Sequence, residues 1–366
     1  MPLPPFFCQD APFVNNYADG PMVQRLRASV ISTPTASLIN LVGIAVVAVA
    51  AVASVQRIYQ CGATYFFQTM GFGLAEGAIF ALVALGYTMV YGIIELINFA
   101  HGDVFTLGAF FSLAIMPFLG LTEGKISGAA LILPLLGLFV VTMLFCALVN
   151  VVIERVAYRP LRRAPRLAPL ITAIGMSALL EGVMNVWRGP FNLHYPDFLP
   201  EYQIPLGGGV TIAAKAVMVI VIAVVLMIVL TLFVNRSKLG KAMRATAQDR
   251  DAAQLMGIDI NRTISATFFI GAALAGAGGI IYGLYYNSVQ AFDGFQYGLY
   301  AFTAAVFGGI GNIPGAALGG MLIGIIFAMS DGYFSVAWTQ VLIFAILIFV
   351  LVFRPTGLLG MRVPEK

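Results

Sequence analysis

Charge is what this sequence has least of. Asp, Glu, Lys and Arg make up 10% of its 366 residues, whereas a soluble globular domain carries about 25%. Hydrophobic residues make up 60%, and the mean hydropathy is +0.94. A soluble chain of this length cannot bury that much apolar surface and still coat itself with charge, so lipid is part of the solvent. Histidine is nearly missing as well. His101 and His194 are the only two, far apart in sequence, which leaves no basis for a metal site or for histidine catalysis. Cys8, Cys61 and Cys146 have no metal-ligand spacing, and Cys146 sits in an apolar run. No disulfide framework or redox site follows from them. No glycine-rich stretch runs into Gly-Lys-Ser/Thr, so a P-loop nucleotide site is excluded. Nothing here calls for a cofactor or an enzyme.

What is present is a succession of apolar runs. About 20 apolar residues carry a helix across the hydrocarbon core. Candidate spans are 37–56, 69–90, 104–120, 128–152, 168–187, 210–234, 263–285, 298–311, 315–331 and 336–353. The runs 298–311 and 315–331 are short, glycine-rich and split by Asn312 and Pro314, so they are expected to be broken or re-entrant. The fold class is therefore all-α, a polytopic transmembrane helical bundle of about 8–10 spans. Residues 1–36 read as a cytoplasmic extension, 37–60 as an additional span and 61–360 as the main transmembrane domain, with a long charged loop at 235–262. The extension is proline-rich, and the span after it is too long for the apolar part of a secretory signal.

The net charge of +4 is explained by orientation rather than by nucleic acid. With ten crossings, 16 of the 20 Lys and Arg fall on the side that holds both termini. The positive-inside rule places that side in the cytoplasm. Small residues recur every four positions at Gly271, Ala275, Gly279 and Gly283, and again at Ala316, Gly320 and Gly324. Such faces let helix backbones approach inside a membrane bundle.

Three segments are candidates for function. The turn Glu95–Asp103 places Asn98, His101 and Asp103 within six residues between two spans. Ionisable groups at membrane depth usually face a cavity or the bundle interior. The alternative is an interfacial turn in which Asp103 caps the next helix and His101 bonds a carbonyl. The second segment, Val306–Gly319, cannot form a continuous helix because of its glycines and Pro314. It echoes the first: Val90-Tyr-Gly-Ile-Ile against Val306-Phe-Gly-Gly-Ile, each followed by an Asn. Interrupted segments at matching places in two halves point to a transport site. The third, within 235–262, is expected to hold a helix over 241–256 that stops at Gly257. It is either a docking element for another protein or a solvated connector. Glu76 and Glu181 fall within spans, where each is either a proton-relay group or a hydrogen-bonded structural acid.

The run Arg244-Ala-Thr-Ala-Gln-Asp through Gly257-Ile resembles the cytoplasmic coupling loop of ABC importer permeases, specifically those for branched-chain amino acids. Gly86-Tyr-Thr-Met-Val-Tyr-Gly-Ile-Ile-Glu-Leu-Ile-Asn-Phe-Ala-His-Gly-Asp103 is similar to a signature of that family. So are Ala301-Phe-Thr-Ala-Ala-Val-Phe-Gly-Gly-Ile-Gly-Asn-Ile-Pro-Gly315 and Arg354-Pro-Thr-Gly-Leu-Leu-Gly360. The resemblance covers roughly 68–360 and leaves the first 60 residues as an addition. It implies one membrane subunit of an importer in the cell inner membrane. Its implied partners are a second homologous permease, two cytoplasmic ATPases and a periplasmic binding protein. It also implies that Asp249, Asp251, Ala252, Ala253 and Gly257 sit on or near the coupling helix. Asn98, His101, Gly102, Asp103, Asn312 and Pro314 would lie near the pathway or its gate. Two other readings are open: a passive channel for urea or another small neutral solute, and a proton-coupled carrier using Glu76, Glu181 or Asp103.

Overall fold

The computed structural model describes residues 34–94, 98–121, 128–162, 164–165, 167–199, 202–354 and 356–360, with only the backbone described for 34–61 and 128–129. Most of the expected extension 1–36 thus lies outside the described residues, as do Glu95, Leu96 and Ile97 of the polar turn. The chain divides at Gly62 into two units, Met1–Cys61 and Gly62–Lys366. Gly62 has φ 80° and ψ 162°, which breaks the helical run Pro34–Ile94; only glycine takes that conformation without strain. In the first unit, residues 34–61 form helix α1. The expected span 37–56 lies on it, and its side chains are outside the described residues.

The second unit is a helical bundle. Its helices are α2 Gly62–Ile94, α3 Ala100–Ile115, α4 Ile132–Ile153, α5 Leu167–Arg188, α6 Ala214–Arg236, α7 Lys238–Gln248, α8 Arg250–Leu255, α9 Ile260–Tyr286, α10 Asp293–Gly308, α11 Ile313–Tyr333 and α12 Val336–Phe353. Among the described residues, eight helices are long and apolar enough to cross a membrane. Each matches an expected span in place. Ends shift by a few residues, and two departures have a local cause. The expected span 210–234 begins only at Ala214, because Val210–Ala213 is a strand, β2, paired with β1 Gln203–Gly207. The triple glycine 207–209, at φ 96°, 62° and 80°, makes that hairpin turn. The expected helix 241–256 is two helices, because Asp249 breaks out at φ −155° and its carboxylate caps the second one.

The expected broken pair resolves into one short helix and one full one. α10 has 16 residues, or about 24 Å of rise, short of a hydrocarbon core of about 30 Å. α11 is 21 residues long and unbroken. The interruption lies between them, at Gly309 (φ 112°) and Gly311 (φ 88°). Residues 357–360 fold back onto this turn. Leu358 N–H donates to Phe307 O at 2.9 Å, and Leu359 N–H to Gly308 O at 3.0 Å. Two sequence motifs about fifty residues apart thereby build one structure.

Close packing follows the glycine faces. α9 lies at the centre, against α3 and α4. A Cβ built on Gly279 would meet Phe105 O at 2.1 Å, and one on Gly276 would meet Cys146 Sγ at 2.9 Å. On α11, a Cβ at Gly320 would lie 2.4 Å from Ala81 Cα of α2. Helices approach this closely in a membrane because dispersion between backbones, not escape from water, holds them together. α2 and α9 are the most enclosed spans, while α4, α6 and α12 present most of their surface outward.

Candidate functional site

Asn98 and residues 100–103, at the described end of the polar turn, are buried in the bundle. His101 lies against Gly86: a Cβ on Gly86 would be 2.2 Å from His101 Nε2. Gly86 is eight residues before the end of α2, so the chain has doubled back about 12 Å into the bundle. Glycine at 86 leaves room for the imidazole, which meets the Tyr87 ring edge-on at 4.8 Å. Gly102 serves the other side, where Gly294 and Gly298 of α10 pack onto it; a Cβ there would meet Gly294 O at 2.2 Å. The start of α3 is thus held between α2 and the short helix α10.

Asp103 is fully buried. It lies in the first turn of α3, and Ser177 Oγ of α5 donates to its Oδ2. A bond to another helix thus partners a carboxyl whose burial would otherwise be costly. Asn98 is also buried, and Tyr158 Oη donates to its Oδ1 at 2.7 Å. Asn98 Nδ2, both ring nitrogens of His101, Asp103 Oδ1, Thr106 Oγ1 and Thr88 Oγ1 have no hydrogen-bond partner among the described residues. The carbonyl alternative for His101 has its candidate in the Val83 backbone, which faces the ring. Unpaired buried polar atoms cost about 1–3 kcal/mol each. Their concentration in one stretch marks a place where stability is given up for another end.

Asn312 and Pro314 lie elsewhere, at the end of the bundle where α2 finishes. Asn312 Oδ1 caps α11 by accepting from Gly315 N–H at 3.4 Å, and its Nδ2 donates to Leu359 O at 2.7 Å. Pro314 occupies the first turn of α11, where a missing N–H costs nothing. Both residues start a helix, and neither joins the His101–Asp103 cluster. The sequence echo does have a spatial meaning, because a Cβ on Gly92 would lie 3.3 Å from Gly311 Cα. Glu76 is buried with Oε2 unpaired among the described residues, and Glu181, one turn after Ser177 on α5, is only partly buried and close enough to Asp103 to interact with it electrostatically.

The charged loop forms two short helices at that same end. Ser237 caps α7, accepting from Gly240 N–H at 2.8 Å. Asp249 caps α8, accepting from Asp251 N–H at 2.9 Å and Ala252 N–H at 3.0 Å. Gly257 stops the run at φ 81°, as its position predicts. Asp251, Ala252 and Gly257 are exposed, whereas Ala253 is buried and faces the protein. The outermost residues are Leu255 and Met256, 89% and 82% exposed. They place two large apolar side chains at the exposed tip of a charged loop. Behind the tip, Arg250 Nη2 donates to Ile93 O at 3.0 Å, joining α8 to the last turn of α2.

Sequence reasoning missed the partners of these groups. Ser177, Tyr158 and the bond from Arg250 to Ile93 are each single residues without a motif. It also missed Glu154, which is fully buried at the end of α4, accepts from Arg162 and takes Ser265 Oγ on its other oxygen at 2.7 Å. Arg162 reaches on to Asn261 Oδ1 at 2.6 Å, so this network ties α4 to the start of α9. At the opposite end, Asp197 accepts from Lys215 Nζ and from Asn287 Nδ2 at 3.1 Å. Burial raises the Asp197 pKa, but Lys215, Asn287 and the Leu199 amide outweigh it, and the carboxyl ends below its ordinary range.

Residues 69–351 match the family model for the permease component of branched-chain amino acid transport systems. The permease protein BraD of a high-affinity branched-chain amino acid transport system from Pseudomonas aeruginosa is 41% identical over 308 residues, covering 82% of this chain and 98% of that protein. The corresponding permease LivH of Escherichia coli K12 is 40% identical over 309 residues, with the same coverage. A probable branched-chain amino acid transport permease, LivM of Methanocaldococcus jannaschii, is 23% identical over 252 residues, covering 63% of this chain and 70% of that one. No solved structure matches.

Proposed function

Because this chain belongs to the permease-component family of branched-chain amino acid transport systems, we propose that it is one membrane subunit of an ATP-driven importer. It carries branched-chain or related amino acids into the cytoplasm. It forms the membrane pair with a second, related permease, for which the similarity to LivM is the support. Two cytoplasmic ATPases drive it, and a periplasmic protein delivers the substrate. It performs no catalysis itself.

The observation that carries this reading is the capped pair α7–α8 with Leu255 and Met256 outermost. Full burial of two such side chains contributes about 3–6 kcal/mol to docking, and an apolar face on a short helix fits a groove on another protein. Asp249, Asp251, Ala252 and Gly257 shape that surface, and Ala253 anchors it from beneath. α7–α8 lie on the cytoplasmic side, with both termini. Closure of the ATPases pulls α8, and Arg250 passes the movement to the end of α2. α2 leads directly into Asn98, His101, Gly102 and Asp103, the gate region; Asn312 and Pro314 frame its cytoplasmic end. The ATPases bind one arrangement better, which is what shifts the population.

The test is uptake of radiolabelled leucine into vesicles holding the complete importer. Uptake should require ATP and should survive a protonophore. Leu255→Arg combined with Met256→Arg should lower uptake at least about tenfold, since it replaces the docking energy with two desolvated charges, and should release the ATPases on purification. Solute flux through vesicles containing this chain alone would instead establish a channel. Loss of uptake on adding the protonophore at constant ATP would establish proton coupling.

A further inference from the structure

The outward face of α10 and α12 carries two glutamines among hydrophobic neighbours. On α10, Phe292 and Phe295 are 53% and 46% exposed, and Gln296 is exposed beside them. On α12, Gln340 is exposed, with Phe344 one turn further on. From Val341 to Phe353 that helix holds only apolar residues. Together with Tyr300 these side chains line a cavity of about 250 Å³. One water occupies about 30 Å³ of liquid, so the space suits a small organic molecule.

A carboxamide set among apolar side chains leaves donors and acceptors unpaired, which is costly away from water. Gln296 Nε2 donates to Tyr300 Oη at 2.9 Å, which leaves its carbonyl oxygen for another group. Gln340 presents both ends of its amide. The face is therefore built for contact with something polar as well as apolar. α10 begins just beyond the end of α9 and α12 just beyond the end of α11. Both beginnings lie at the end of the bundle opposite α7–α8, the periplasmic end in the proposed orientation.

The geometry points to a substrate subsite here, in which Phe295, Tyr300 and Phe344 enclose the aliphatic side chain of an amino acid and the amides of Gln296 and Gln340 hold its ammonium and carboxylate groups. The inference rests on the importer reading and adds where the substrate is held. An amide both donates and accepts, so it contacts either end of a zwitterion without carrying charge. Binding through amides is correspondingly weak, which suits a site a substrate must leave as readily as it enters.

The experiment uses the complete importer in vesicles with Gln340→Cys, labelled by a charged, water-soluble thiosulfonate, with the unsubstituted importer as background. Leucine at roughly ten times its Kd should slow labelling about tenfold, and glycine at the same concentration should slow it less. Labelling unaffected by leucine overturns the inference. So does a thiol that reacts only with a lipophilic maleimide, which would place this face against lipid. A thiol that no reagent reaches until the partner permease is removed would make it a subunit contact, and overturns it too. Phe295→Cys provides a second position with the same outcomes where Gln340→Cys fails to assemble. ATP-dependent leucine uptake measured on the same vesicles separates a failed subsite from a failed importer reading.

Discussion

The contact between α2 and α11 gives the sharpest mechanical test. Gly324 faces Gly77 so closely that an added Cβ would lie 2.1 Å from Gly77 N and 2.2 Å from its Cα. Non-bonded heavy atoms rest at about 3.5–4.0 Å, so Gly324→Ala forces the helices apart by about 1.5 Å. Neither neighbour can swing away, because both are backbone. The same movement spoils the contact of Gly320 with Ala81 one turn earlier. Overpacking of this kind costs about 1–3 kcal/mol, and a rigid backbone neighbour places the cost near the upper figure. A kcal/mol corresponds to about 2–4 °C in domains of 150–250 residues, so the melting temperature should fall by about 6 °C or more. Gly175 of α5 is the control, since nothing lies within 4 Å of a Cβ there. Gly175→Ala should leave the melting temperature unchanged or raise it through helix propensity. The assay is thermal unfolding in detergent, followed by loss of the monodisperse peak on size-exclusion chromatography. Equal shifts for the two substitutions would refute the idea that this interface is set by backbone approach.

Further outcomes follow from the other contacts. Arg250→Ala removes the charge-assisted bond to Ile93 O, and should leave ATP hydrolysis stimulated by the binding protein while leucine uptake falls several-fold; a parallel loss of both activities would assign Arg250 to assembly rather than transmission. Asp197→Asn should lower stability at neutral pH by about 2 kcal/mol, the usual value for hydrogen bonds to a charged group. The Asp197 carboxyl is held below its ordinary range, so its contribution is full above the unfolded value of about 3.9 and fades as pH falls through the lower folded value. Melting curves of the two proteins should therefore converge below about pH 4, and a constant gap down to pH 3 would rule out the ion pair as the cause.

The places where expectation and structure part share one character. Hydropathy, charge and glycine spacing located the spans, the charged loop and the interrupted segments, because each is a property of a stretch read by itself. Gly257 as a helix stop was legible for the same reason: its left-handed φ is a local requirement. The single helix expected over 241–256 failed locally, at Asp249, whose carboxylate competes for the amides that helix would use.

Asp103 could not be assigned from sequence. A carboxyl in a helix's first turn reads as a cap, and only the approach of Ser177 from α5 makes it an interhelical acceptor. Asn312, a pathway candidate from sequence, also proves to be the cap that joins α11 to the chain's last described residues. By itself the sequence determined that this chain lives in a membrane and where its apolar spans lie. Apolar length and charge act one residue at a time, and the bilayer reads them that way. Only the tertiary structure decided which polar groups are partnered, that His101 lies inside the bundle, and that Gln296 and Gln340 share a cavity. Those are contacts between segments far apart in the chain, and their energies exist only once the helices have packed.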